Sequence, residues 1–193
     1  MSPAGFLRLA WQTVVAPRQV AQLLLSLRLG HEAILTALAL VVTLNALAIG
    51  AMQAAMPGSA SLPFVMSPMV TVALVAAMLT ASIFLMTWAG RLFGGHARTE
   101  DIALLLTWLQ ALRLLGQVIV AFATVVSGAL ASLVVIAALL IGIWILINFL
   151  DVAHGFGNPF KALMVLILGS VALVLGLSFL FTLVGIGPNA MAI

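Results

Sequence analysis

Few side chains in this chain are able to do chemistry, and their spacing narrows what that chemistry could be. Histidines and acids number seven: His31, Glu32, His96, Glu100, Asp101, Asp151 and His154. Residues of these types can compose a metal site, yet only three histidine–acid pairs, His31/Glu32, His96/Glu100 and Asp151/His154, lie within four residues of each other. None forms HExxH, so no metal site and no cofactor are expected. Cysteine is absent, which removes thiol nucleophiles, thiolate metal ligands and disulfides. Neither a G-x-S-x-G elbow nor a phosphate-cradling G-x-x-x-x-G-K-[ST] loop occurs, and Gly94-Gly95 alone is too weak a signal for phosphate binding. The residues that stand out are instead Gln110, Arg113 and Gln117, a polar series inside an apolar run.

The elements that must carry these residues follow from composition. The 193 residues are 65% hydrophobic and 6% charged, with a mean hydropathy of +1.37. Soluble domains carry roughly a quarter charged residues. The apolar stretches exceed the ~18–20 residues needed to cross a ~30 Å hydrocarbon core. An all-α polytopic membrane protein is therefore expected. Its five transmembrane helices cover about 33–56, 68–93, 101–126, 128–150 and 160–184, within a membrane domain of residues 31–193. Ser127 and Gly128 divide the third span from the fourth, because one helix of some fifty residues would overrun the bilayer at ~1.5 Å per residue. Almost nothing is left for a separate soluble domain.

Residues 1–30 read differently. In FLRLAWQTVVAPRQVAQLLLSLRLG the apolar residues alternate with Arg8, Arg18 and Arg28, and Pro17 suits a first helical turn. This pattern predicts a short amphipathic interfacial segment, a pair of helices with Trp11 at headgroup depth and the three arginines meeting lipid headgroups. A cap packed on the bundle is the alternative. No cleavable signal is expected, since Arg8 breaks the first apolar patch and Pro17 stops it.

The connections give sidedness. Arg8, Arg18 and Arg28 precede the first span, Arg91 and Arg98 follow the second, and Lys161 follows the fourth; the other links and the tail GIGPNAMAI are uncharged. Basic residues thus fall on alternate connections. By the positive-inside rule the N-terminus is cytoplasmic and the C-terminus lies outside, periplasmic for a bacterial inner membrane. The pI near 11.3 then reflects orientation, and no nucleic-acid partner is expected. In the loop GRLFGGHARTED, Gly90, Gly94 and Gly95 permit a tight reversal beside His96, while Thr99, Glu100 and Asp101 cap the third span.

Arg113 is the exception to this charge pattern. It lies about twelve residues into the third span, ~18 Å along the helix from Asp101. An arginine at such depth costs at least ~2.5 kcal/mol, so it should face the bundle and have partners. Gln110 and Gln117 share its face, Asn45 lies at comparable depth, and Asn148 and Asp151 share a face of the fourth span. These six residues compose either a hydrogen-bonding network that fixes packing or a pocket for an anion, headgroup or solute. An ion pump would bury carboxylates in its spans, and none is expected there. Small-residue ridges, Ala46/Gly50/Ala54, Ala73/Ala77/Ala81 and Gly169/Ala172/Gly176, are candidate helix contacts.

The amphipathic preface AWQTVVAPRQVAQLLL, five spans, the turn in WAGRLFGGHARTED and the following LLLTWLQALRLLGQ resemble the bacterial branch of the Yip (Ypt-interacting protein) membrane domain family. WILINFLDVAHGFG fits the same pattern. The resemblance implies a five-helix membrane domain without enzymatic activity. Eukaryotic members bind Rab-type GTPases through a long cytosolic N-terminal region with tyrosine-containing motifs. This chain has no tyrosine and about thirty residues before its first span, so GTPase binding is not carried over. The resemblance adds Gly94, Gly95 and Trp108 to Gln110 and Arg113 as nominated positions. Two functions are weighed: a scaffold or accessory subunit in contact with lipids and other integral membrane proteins, and a small transporter or channel component built around Arg113. Self-association of copies stays open.

Overall fold

Backbone amides in hydrocarbon can bond only along their own helix, and a computed structural model of the chain, describing residues 3–55 and 68–183, is helical almost throughout. Its described helices are α1 (Pro3–Val15), α2 (Pro17–Ser26), α3 (His31–Ala55), α4 (Pro68–Leu92), α5 (Thr99–Val126), α6 (Gly128–His154) and α7 (Pro159–Leu183). The last five are long and apolar enough to cross a membrane. The expected link at 57–67 and the tail from 184 lie outside the described residues.

Local chemistry explains the helix ends. Ser127 alone is extended (φ −165°, ψ 148°) between α5 and α6. Its Oγ accepts from Leu130 N–H at 3.1 Å while its own N–H donates to the Ala123 carbonyl at 2.9 Å, so one residue reverses the chain. At the start of α5 the cap is Arg98 rather than Thr99. Its N–H donates to Asp101 Oδ2 at 3.2 Å, which satisfies an end amide and sets a carboxylate at the helix N-terminus.

At its other end α6 runs past the expected stop at 150 to His154. Gly155 takes the left-handed conformation there (φ 68°), and Phe156 N–H returns to the Asp151 carbonyl at 3.2 Å. That is the bonding of a glycine-terminated helix. Asn158 then caps α7, its Oδ1 accepting from Phe160 N–H at 2.9 Å.

The five long helices close a ring. α3 packs against α4 and α5, α5 against α6, α6 against α7, and α7 against α4, with α4 also touching α5 across the middle. Threading puts the starts of α3, α5 and α7 and the ends of α4 and α6 at one end of the bundle. Arg28, Arg91, Arg98 and Lys161 lie in or beside those connections, so this is the charged end. The densest packing is there too, where Ile34, Ile83, Met86, Ala89, Ile102, Leu150 and Val165 share one core.

The N-terminal pair shares a second core with α5 and α6. Leu9, Val20, Ala21 and Leu24 pack with Leu105, Ile145 and Phe149. One face of the segment therefore packs on the bundle, while its other face leaves Leu7, Trp11 and Val15 exposed at four-residue spacing. The small-residue ridges are not continuous contacts. Ala46 and Gly169 are buried, whereas Gly50, Ala73 and Ala77 are exposed, and the side chain of Ala54 is not described. A Cβ on Gly169 would stand 2.8 Å from Met86 Sδ, and one on Gly176 would meet nothing within 4 Å. Close approach is made at single positions.

Candidate functional site

The charged end is organised by a carboxylate. Asp151, in the last turn of α6, is 2% exposed, and an ionised group so placed needs compensation. The guanidinium of Arg18, on α2, donates to Oδ2, and the Asn158 N–H donates to Oδ1 at 2.9 Å. One side chain thereby joins α2, α6 and the α6–α7 turn. A carboxylate is thus buried at a span end, and Arg18 is held in an ion pair while its side chain stays 49% exposed.

One turn further on, His154 is 1% exposed and its ring meets no polar side chain by hydrogen bond among the described residues, only the Met86 backbone lying close. Its ring stacks on Phe156, with centroids 5.1 Å apart and planes 17° from parallel. The opposite wall is glycine. A Cβ on Gly90 would fall 1.8 Å from His154 Cε1, and one on Gly95 would fall 2.5 Å from Nδ1. Of the three loop glycines only Gly94 needs its conformational freedom (φ 80°); Gly90 and Gly95 are there to admit the imidazole. The histidine's own carbonyl accepts from His96 N–H at 3.2 Å, fastening the α4–α5 link to the end of α6. Asp151, bonded to Arg18 and the Asn158 amide, joins helices at this end.

Trp108 lies within α5 and not in the loop that precedes it. Its Nε1–H donates to Thr13 Oγ at 3.1 Å, and Phe6 meets its ring edge-on at 5.4 Å. Thr13, fully buried, donates a hydrogen bond from its hydroxyl to the Leu9 carbonyl at 2.8 Å. Because Trp108 is nine residues into α5, α1 lies roughly 14 Å along that helix.

Two open crevices flank this end. One of about 660 Å³ lies between the α2–α3 link and α5, with Arg28, His31, Arg98, Glu100 and Asp101 around apolar Leu25, Ile34 and Leu104. The other, about 470 Å³, carries Arg91, His96, Arg98 and Glu100. Among the described residues no group of three His, Asp or Glu could hold a metal ion.

Among the described residues no hydrogen bond joins the six intramembrane residues to one another. Asn45 and Asn148 are buried, but each donates to the carbonyl four residues back in its own helix, Val41 at 2.9 Å and Trp144 at 2.8 Å. Gln110 and Gln117 are half-buried. Arg113 is exposed, and it makes no ion pair or hydrogen bond among the described residues. Arg8 and Trp11 on α1 are exposed, as are Arg28, Gly94 and His96 in the connections of the charged end. Sequence reasoning missed Thr13, the pairing of Arg18 with Asp151, and the burial of His154. The one available signal was the glycine content of WAGRLFGG, which was read as a turn.

A model of the Yip1 domain family matches residues 11–180 of the chain. No curated protein and no solved structure matches it.

Two outcomes test the site. Arg18→Ala leaves a buried carboxylate with a single donor and is expected to cost roughly 1–3 kcal/mol, reduced from the usual cost of a broken buried pair because Arg18 is half-exposed. Asp151→Asn keeps an acceptor for Asn158 and should cost only about 1 kcal/mol. The double variant should then melt above Arg18→Ala in detergent; a lower melt would deny that the stranded charge is the cause. Gly90→Ala should destabilise by about 1–3 kcal/mol through overpacking, and His154→Ala in the same chain should restore part of that. Equal losses with and without the imidazole would mean the glycine serves something else.

Proposed function

The chain belongs to the Yip1 domain family, and we propose that within it this multi-pass membrane protein acts as an accessory subunit, holding other integral membrane proteins and lipids through its own helices. Proteins of this family are non-catalytic scaffolds. The observation that carries the reading is the family match across most of the chain, 11–180. It is supported by how the polar groups are spent: Asp151 on Arg18 and Asn158, Trp108 on Thr13, Asp101 on the Arg98 amide. These are joints between parts of one molecule.

Lipid contact belongs to the N-terminal pair. Leu7, Trp11 and Val15 form an exposed apolar stripe with Arg8 beside it and Arg28 beyond. An amphipathic surface of this kind lies at the headgroup boundary, each basic residue near anionic lipid contributing about 1 kcal/mol. The charged end faces the cytoplasm by the positive-inside rule, in a bacterial inner membrane. A transport role has no support in the described geometry, since Arg113 does not line either crevice.

Purification from native membranes in mild detergent should bring down an integral membrane protein in fixed ratio, and a chain that always emerges alone would count against the accessory role. Orientation can be read by cysteine placement, because the chain has no native cysteine. A membrane-impermeant maleimide applied to intact cells should label Ser127→Cys and spare His96→Cys. The reverse pattern would invert the assignment of faces.

A further inference from the structure

Arg113 is the fifteenth residue of the 28 in α5. At ~1.5 Å per residue α5 is ~42 Å long, close to the whole ~40–45 Å thickness of a bilayer with its headgroups. Arg113 therefore lies at about the middle, with roughly 15 Å of hydrocarbon on either side, too deep for its guanidinium to reach either headgroup layer. Its face is the one that packs into the core at the charged end. Residue 113 is eleven after Ile102 and seven after Leu106, within about 20° of each around the helix. Both of those residues are buried, and Arg113 is exposed. The cover has run out by its level.

The two flanking glutamines extend this polar surface. Gln110 precedes Arg113 by three residues and Gln117 follows by four, positions adjacent on a helix. Gln117 Oε1 is buried without a hydrogen-bond partner among the described residues. Among the described residues no acid stands close enough to balance the arginine. Its four acids are Glu32, Glu100, Asp101 and Asp151, all in a first or last helical turn at the charged end, on the order of 20 Å along the helices. A second copy would bring no acid to that depth, only another Arg113.

We propose that the stripe Gln110–Arg113–Gln117 is a docking seam for a transmembrane helix of a different membrane protein, one that carries an aspartate or glutamate near its middle. A carboxylate there takes the guanidinium through two parallel N–H···O bonds, with half-buried Gln110 one turn away on the same side of α5. The inference rests on the accessory-subunit reading and names the chemistry of its partner.

The test uses the full chain in vesicles with synthetic leucine-rich transmembrane peptides, one bearing a single central aspartate and one with leucine there, and energy transfer as the readout. The aspartate peptide should associate at least tenfold more tightly than the leucine peptide. Arg113→Leu, checked for folding by circular dichroism, should bring the two together. Equal association of both peptides with the native chain overturns the seam, as does aspartate-peptide binding that Arg113→Leu leaves unchanged. Modification of Arg113→Cys by a water-soluble maleimide as fast as that of His96→Cys would also overturn it, because the position would then be watered. Failure of the two readings is separable. A native partner held equally by wild type and Arg113→Leu discards the seam and leaves the accessory role intact. A lone chain that still selects the aspartate peptide discards the accessory role instead.

Discussion

A charge taken out of water must be met by its own molecule, and the charged end of this protein is arranged around one such case. Asp151 is buried where α2, α6 and the α6–α7 turn converge, and it is tolerable only with Arg18 and the Asn158 amide in place. Because those donors come from separate segments, the carboxylate also dictates where they sit. Arg18 lies in the same helix as Val20 and Leu24, so the ion pair sets the register in which α2 lays its apolar face on Ile145 and Phe149. Trp108 holds α1 from the other side through Thr13. Neither N-terminal helix is long enough to be stable alone; packing and these two polar joints keep them folded.

The same end shows how a side chain can be accommodated by what is missing opposite it. His154 occupies space that Gly90 and Gly95 leave vacant, and its carbonyl takes the His96 amide. The α4–α5 link is thus shaped by an imidazole from α6, and interiors packed to native density allow little adjustment there. This explains why glycine is needed at Gly90, which lies within helix α4, where glycine is otherwise unfavourable.

Much of the architecture was legible because hydrocarbon leaves the chain few choices. Spans longer than a bilayer, a break at Ser127 and basic residues on alternate links follow from thickness, hydrogen-bond satisfaction and charge cost, all of which act locally in sequence. The partners of Asp151 were not legible because Arg18, which lets that carboxylate be buried, lies far away in the chain. His154 was hidden for a similar reason: whether a histidine is buried depends on which glycines face it. Arg113 was expected to find partners inside the bundle, since its cost demands them. The demand was sound, but nothing in a single sequence says that the partner must belong to the same chain.

Arg18 and Arg113 therefore divide the molecule by purpose. Arg18 meets its acid within the fold and so contributes to a rigid, self-sufficient end. Arg113 meets none, in a region where Val118, Ile119, Phe122, Val125 and Val126 of the same helix are also exposed. Apolar side chains there are matched by lipid and cost nothing, because lipid tails are as apolar as they are. A guanidinium is not matched by lipid, so the same exposure that is neutral for its neighbours is unfavourable for it. A helix face that is indifferent everywhere except at one charged point offers little general affinity and one strong condition on what may cover it. Recognition at this surface is then governed by the depth and sign of a single charge on the incoming helix rather than by the area it buries.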